Sequence, residues 1–192
     1  MKISELINSL LPAFVTELQQ AQAKTIINTS AAISAAMLAL VAYWLITGTF
    51  EDIETIFIVL GLLVAFAGII ALVKYGYIRS GAWILTGLIL FLNLADMTWY
   101  GISTVASAGY IIPILLASFS VSPKAGMSVS ILGCISVFAI AYLASIGQLQ
   151  TEIPYQESTL SFDAPTLSLI YLLTGILAGN WIRSTQKVFQ KA

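Results

Sequence analysis

Histidine is absent from this 192-residue sequence, and cysteine occurs once, as Cys134. Without histidine the chain lacks the commonest metal ligand, the commonest haem ligand and the commonest general base. A single cysteine excludes an intrachain disulfide and a cysteine-rich metal site. We therefore expect no cofactor and no metal, and we interpret Cys134 as a small buried apolar side chain.

Charged residues are also scarce, at 9% of the sequence, whereas 59% of the residues are hydrophobic. Soluble globular domains carry about 25% charged residues. A chain this apolar cannot cover a water-facing surface with polar groups, which predicts an integral membrane protein in contact with the lipid bilayer. The net charge of −1 gives no reason to expect a nucleic-acid partner.

Six apolar stretches can cross about 30 Å of hydrocarbon at about 1.5 Å per residue, although the second and sixth need help from flanking residues. They lie near 26–48, 55–73, 81–101, 103–121, 126–147 and 166–182. The sequence therefore predicts an all-α membrane protein, a bundle of six transmembrane helices over 26–182 with a tail at 183–192. Pro113 falls inside the fourth span, where it frees a backbone carbonyl and predicts a kink.

Residues 1–25 carry apolar side chains at helical spacing instead of a secretory signal pattern. This predicts an amphipathic N-terminal helix on the cytoplasmic side. Such a helix either rests on the bilayer surface or docks onto a partner helix.

Lysine and arginine determine the predicted orientation. All eight lie before span 1, between spans 2 and 3, between spans 4 and 5, or after span 6, regions that share one side of the membrane. Seven of the nine acidic residues map to the opposite side: Glu51, Asp52, Glu54, Asp96, Glu152, Glu157 and Asp163. Because basic residues stay cytoplasmic during insertion, we expect both termini inside, in a bacterial inner membrane.

Asn93 and Asp96 interrupt the third span, and Tyr100 recurs seven residues after Asn93 on the same helix face. Asp96 lies near the predicted outer edge, where a carboxylate can reach interfacial water. Alternatively, this stripe joins Ser103 and other polar residues of the fourth span in an outward-opening pocket for a small ligand or a proton, or it contacts a partner subunit. The candidate binding residues are Asn93, Asp96, Tyr100, Ser107 and Tyr110.

Small residues at four-residue spacing mark two candidate helix-packing surfaces. The first span carries Ala31, Ala35 and Ala39, and the last carries Gly175 and Gly179 in GILAG. These surfaces pack either within the bundle or between chains. We find no phosphate-binding loop and no nucleophile–histidine pair in the sequence, so we expect no enzymatic activity.

The stretch RSGAWILTGLILFLNLADMTWYGISTVASAGYIIPILLASFSVSPKAGMSVSILGCISVFAIAYLASIGQL, residues 79–148, has a recognisable order of features. A short basic loop precedes a span with polar residues near its outer end, and a proline-containing span and a second basic loop follow. In this order the chain from about 55 to 182 resembles the multi-span N-terminal membrane region of bacterial sensor histidine kinases and related signalling proteins. The resemblance implies an input module whose last helix leads into a cytoplasmic output domain.

Three functions are consistent with these features. The sequence shows no kinase, cyclase or coiled-coil output after the last span, which favours an accessory or scaffold subunit of a larger membrane complex, such as a respiratory or photosynthetic one. Its partners would be other membrane subunits or further copies of itself. The alternatives are a sensory input module for signal transduction and a small-molecule-binding transporter component.

Overall fold

The computed structural model describes residues 17–48, 53–102, 105–153, 155–156 and 158–189. The described residues are helical apart from short connections, as the sequence predicts for an all-α protein. The chain divides into two compact units, residues 1–85 (unit one) and residues 86–192 (unit two).

Seven α-helices follow one another along the described chain. Their bounds are α1 Glu17–Thr47, α2 Ile53–Lys74, α3 Ile78–Tyr100, α4 Val105–Gly109, α5 Ile111–Leu116, α6 Pro123–Ser145 and α7 Ala164–Phe189. Two π-helical turns adjoin them: Ala117–Val121 continues α5, and Thr159–Asp163 precedes α7. Unit one holds α1, α2 and the first turns of α3, and the remaining helices belong to unit two.

In unit one, α1 and α2 contact each other. Because the connection between them is only a few residues long, the two helices run antiparallel. The first turn of α3 packs closely on the end of α2, since a Cβ atom placed on Gly81 would lie 2.7 Å from Cγ2 of Val73. Glycine therefore allows the α2–α3 connection to fold back within a few residues.

In unit two, α6 and α7 pack against each other more extensively than any other pair of described helices. Their shared core also contains the α5 segment and the last turns of α3. Its fully buried members include Met97, Tyr110, Ile114, Val137 and Tyr171. Ser122 caps α6 by accepting a 3.1 Å hydrogen bond from the amide of Ala125, and Pro123 occupies the first turn, where no amide donor is needed.

Five helical segments in the described chain are long and apolar enough to cross a membrane: Gln19–Thr47, Thr55–Lys74, Ile78–Tyr100, Pro123–Ser145 and Thr159–Ser184. This indicates a multi-pass membrane protein. The segment that corresponds to the predicted fourth span is a shorter apolar stretch, Ser107–Val121. At about 1.5 Å per residue it extends about 22 Å, less than a full hydrocarbon core, so six spans remain a prediction.

The break between α4 and α5 has a local cause. Pro113 has no amide hydrogen to donate to the carbonyl of Gly109, and the chain forms a turn at Tyr110, whose amide donates to Ser107 O at 3.2 Å. The α-helical pattern is thus interrupted at Tyr110, one turn before the proline, and the kink predicted from Pro113 stays a prediction. Residues 103–104 lie outside the described residues.

The predicted N-terminal helix also differs in its boundary. Residues 1–16 lie outside the described residues, while Glu17 already belongs to α1, which continues without interruption to Thr47. Residues 17–25 therefore form one helix with the first predicted span instead of a separate element. The predicted tail is likewise part of α7 as far as Phe189, and 190–192 lie outside the described residues.

Large apolar side chains cover the outside of the helices. Ile46 is 84% exposed, Val64 is 72% exposed and Leu177 is 66% exposed. Hydroxyl groups on these surfaces donate to carbonyls of their own helix, as Ser128 does to Lys124 O at 3.1 Å and Thr174 does to Ile170 O at 2.8 Å. Such a surface suits a lipid environment, where a hydroxyl finds no water and bonds to its own backbone.

Candidate functional site

Two stacked tyrosines occupy the interior of unit two. The rings of Tyr110 and Tyr171 are both fully buried, with centroids 5.0 Å apart and planes inclined by 22°. The hydroxyl of Tyr171 donates to the carbonyl oxygen of Ser107. The pair lies beside Gly133, close to the midpoint of α6. This contact joins α4 and the residue that precedes α5 to α6 and α7.

Glycines on α6 and α7 make this close packing possible. A Cβ atom on Gly133 would lie 2.6 Å from Cε1 of Tyr110 and 2.9 Å from Cδ2 of Tyr171, so any larger residue would displace the rings. One turn farther along the α6–α7 interface, a Cβ atom on Gly175 would overlap the hydroxyl of Ser130. Small residues let helix backbones approach, which is the main way that helices associate in lipid.

Asn93 lies against the fourth apolar segment. Its Nδ2 donates to Ile89 O at 2.8 Å, and its Oδ1 faces Gly109, where an added Cβ atom would lie 2.5 Å away. Asp96 is half-buried on the next turn of α3, and Tyr100 is 42% exposed at the end of the helix. Ser107 and Tyr110 belong to the buried tyrosine cluster. Ser103 lies outside the described residues.

The structure thus separates the candidate binding residues into two groups. In the first group, Asn93 contacts the segment that carries Ser107 and Tyr110. In the second, Tyr100 is exposed at the end of α3. The space around Tyr110 is filled by the Tyr171 ring, which the sequence analysis did not include. Several other side-chain hydroxyls are buried without a described hydrogen-bond partner: Ser30, Thr86, Ser118, Ser120 and Ser168, besides Tyr110 Oη. The described residues contain no group of acidic or cysteine side chains suited to a metal ion.

A second polar site lies at the end of unit two where α3 stops. The amide of Glu152 donates to Trp99 O at 2.9 Å, and the indole Nε1 of Trp99 donates to Glu152 Oε1 at 3.2 Å. Gly101, at φ +94°, ends the helix and lies against Thr151. A non-glycine residue rarely adopts this backbone conformation, so glycine allows α3 to end under the loop.

An open groove of about 470 Å³ lies beside this pair of hydrogen bonds. We call it the Trp99 groove, and its lining residues are Thr98, Trp99, Leu149, Gln150, Thr151 and Glu152. Its volume falls within the range of about 300–1,000 Å³ that small-molecule sites occupy. Unlike the tyrosine cluster, it is accessible to solvent.

The two small-residue surfaces also differ. Gly175 and Gly179 are buried in unit two, beside Ser130 and Pro123 respectively. Ala31, Ala35 and Ala39 are exposed. The glycine motif of α7 therefore packs within the chain, whereas the alanine face of α1 is not covered by the described residues.

Sequence reasoning missed Tyr171, Gly133, Trp99 and Glu152 as members of these sites. The signals were weak: Tyr171 was a single tyrosine in an apolar span, and Trp99 fitted an interfacial aromatic belt. Glu152 was counted only as an outer acid. Which of these residues meet depends on contacts across 53 to 64 positions of sequence, as for Trp99–Glu152 and Ser107–Tyr171.

No protein-family model, curated protein or solved structure matches this chain. The resemblance to sensor-kinase membrane regions therefore remains a prediction. What the molecule does must be argued from the geometry of its surfaces and of these two sites.

Proposed function

We propose that this chain is a non-catalytic integral membrane protein that acts as an accessory or scaffold subunit, binding other membrane helices through α1. It resides in a bacterial inner membrane with both termini in the cytoplasm. The observation that carries the proposal is the exposed face of α1. Only 6% of the most apolar part of α1 is buried, against 22–33% for the other four long apolar segments.

The exposed face of α1 is formed mostly by small residues at regular spacing. Residues spaced alternately three and four apart repeat along it, and each is exposed: Ala21, Thr25, Asn28, Ala32, Ala35, Ala39, Ala42 and Ile46. This is the heptad spacing of helices that pack side by side, and small residues at the seam let two backbones approach closely. Lipid chains fit such a flat face less tightly than a second helix does.

The test compares two alanine-to-leucine changes at exposed positions. Ala35→Leu blocks the seam of α1, and Ala67→Leu makes the same change on an exposed position of α2. Extraction from native membranes in mild detergent, followed by native mass spectrometry, should return the wild type and Ala67→Leu in a stoichiometric complex. Ala35→Leu should return the free chain.

A complex made only of copies of this chain would identify self-association as the role of the face. Recovery of wild type and both variants as free monomers would contradict the proposal.

A second candidate function is sensory input, and a separate observation favours it. The Glu152–Trp99 hydrogen bonds connect the loop before α7 to the end of α3, and α7 is continuous from Ala164 to Phe189, beyond its last apolar turns. A change at the loop could thus reach the far end of α7 through one helix. Fusion of α7 to a reporter kinase, with output measured for wild type and Trp99→Phe, distinguishes this function from a scaffold.

A further inference from the structure

We infer that the Trp99 groove binds a primary ammonium group, supplied either by a small organic amine or by the headgroup of an amine-containing lipid. The inference goes beyond the proposed scaffold function and uses no residue of α1. It follows from the hydrogen-bonding groups that the groove has left to offer.

Four of the donors that line the groove are already engaged. The indole N–H of Trp99 binds Glu152 Oε1, and the amide of Glu152 binds Trp99 O. The hydroxyl of Thr98 donates to Ala95 O at 2.7 Å, and that of Thr151 donates to Ile153 O at 2.5 Å. The donors left for a ligand are the side-chain amide of Gln150 and the backbone amides of Gln150 and Thr151, and none of them carries the positive charge that a phosphate or a carboxylate binds best.

The one charged group that lines the groove is an acceptor, and an aromatic face lies beside it. Oε2 of Glu152 has no hydrogen-bond partner among the described residues, and the hydroxyl oxygens of Thr98 and Thr151 keep their lone pairs. Trp99 is 65% exposed although its N–H edge meets Glu152, so its ring faces account for much of the open area. An indole face attracts cations, and a carboxylate forms short, strong hydrogen bonds with ammonium N–H groups.

The surrounding charge favours the same ligand. The basic residues that the structure describes in unit two are Lys124 at the start of α6, and Arg183 and Lys187 near the end of α7. The groove lies at the other end of these helices, about 30 Å away along α6 at about 1.5 Å per residue. Within unit two, no described positive charge therefore lies near Glu152 to compete with an entering cation.

The first experiment uses the full chain in nanodiscs of phosphatidylglycerol, which contain no amine headgroup. Phenylalanine replaces Trp44, Trp83 and Trp181, so that Trp99 alone reports by fluorescence. Ethylammonium chloride should shift the Trp99 emission with a Kd on the order of millimolar at low ionic strength. Ethanol, which lacks the charge, should cause no saturable shift. Tetramethylammonium, which lacks N–H donors, should bind more weakly.

Two variants assign the binding to the groove. Glu152→Gln keeps an acceptor for the indole N–H but removes the charge, and it should weaken ethylammonium binding about tenfold. Asp163→Asn removes one acid from the segment before α7 without altering a groove residue, and it should leave the Kd within about twofold because Asp163 does not line the groove. Far-UV circular dichroism checks that both variants keep the wild-type helix content.

Nanodiscs that contain phosphatidylethanolamine distinguish the two sources of the ammonium group. If the lipid occupies the groove, ethylammonium should no longer shift the emission, and native mass spectrometry should find less retained phosphatidylethanolamine on Glu152→Gln than on wild type. If a free amine is the ligand, the titration should be the same in both nanodiscs.

Three results would overturn the inference: no saturable ethylammonium response in phosphatidylglycerol nanodiscs, equal binding of tetramethylammonium, or equal weakening by Glu152→Gln and Asp163→Asn.

Discussion

The hydroxyl of Tyr171 donates a hydrogen bond to the backbone carbonyl of Ser107, 64 positions earlier in the chain. The bond joins the first third of α7 to the short α4 helix, and the stacked ring of Tyr110 lies beside it. Because both residues are buried, the bond forms where water cannot replace it.

Removing this hydroxyl should weaken unit two. In Tyr171→Phe the ring stack remains, but the carbonyl of Ser107 loses a donor, which should cost about 1 kcal/mol of unfolding free energy. Reversible unfolding by sodium dodecyl sulfate in mixed micelles, followed by circular dichroism, measures this. Tyr142→Phe is the matched control, since Tyr142 is 57% exposed on α6 and its change should leave the stability unaltered. Equal unfolding midpoints for the two variants would contradict the role of the bond.

Gly133 should be intolerant of even one methyl group. The Cβ atom of Gly133→Ala would lie 2.6 Å from Cε1 of Tyr110, so the stacked rings must shift, at a cost of about 1–3 kcal/mol. The gain of about 1 kcal/mol in helix propensity offsets part of this loss. Gly87→Ala is the control, because no atom lies within 4 Å of the added Cβ there. We expect Gly133→Ala to unfold at a lower fraction of denaturing detergent than Gly87→Ala.

The two glycines of the GILAG motif should behave differently. The added methyl group of Gly175→Ala collides with the hydroxyl of Ser130, whereas that of Gly179→Ala makes an ordinary contact of 3.6 Å with Pro123. Gly175→Ala should therefore destabilise unit two by about 1–3 kcal/mol, and Gly179→Ala should be neutral or slightly stabilising. Thermal unfolding of the two purified variants in the same detergent compares them directly. A larger loss for Gly179→Ala would refute the packing described for this helix pair.

The predicted six-span topology can be tested with single cysteines. In a Cys134→Ala background, Gln150→Cys and Tyr75→Cys place a thiol at two exposed positions. A membrane-impermeant maleimide added to intact spheroplasts should label Gln150→Cys only, and Tyr75→Cys should react after lysis. This pattern follows from the cytoplasmic retention of basic residues such as Lys74 and Arg79. Labelling of both before lysis would rule out the predicted orientation.

Much of the fold could be predicted from local pattern. The lengths of the apolar runs predicted the five long helices, and most of their ends agree with the structure to within a few residues. Pro113 predicted an interruption in the fourth segment, which is shorter than a full span. The fourth span was harder because the apolar helical segment that corresponds to it covers only Ser107–Val121. The first boundary was also misplaced, since residues 17–25 have a mixed polar pattern yet continue the helix of the apolar span.

The candidate site was predictable only in part. The spacing of polar residues placed Asn93 next to the fourth segment, where the structure brings it against Gly109. The same spacing placed Tyr100 on the helix face of Asn93, and the structure adds that α3 ends at this residue with Tyr100 42% exposed. Asp96 is half-buried. A role for it in ligand binding stays a prediction.

Composition and spacing by themselves determined that this is a helical, lipid-adapted chain without a histidine-based or disulfide-based site, because those properties depend on which residues are present and how often they recur. Only the tertiary structure decided that Tyr110 stacks on Tyr171, that Glu152 meets Trp99 and that the alanines of α1 remain uncovered. Each of these relationships depends on how separate helices and loops are positioned in space. Helical periodicity specifies the face on which a residue lies, but the shapes of the packed side chains decide what that face meets.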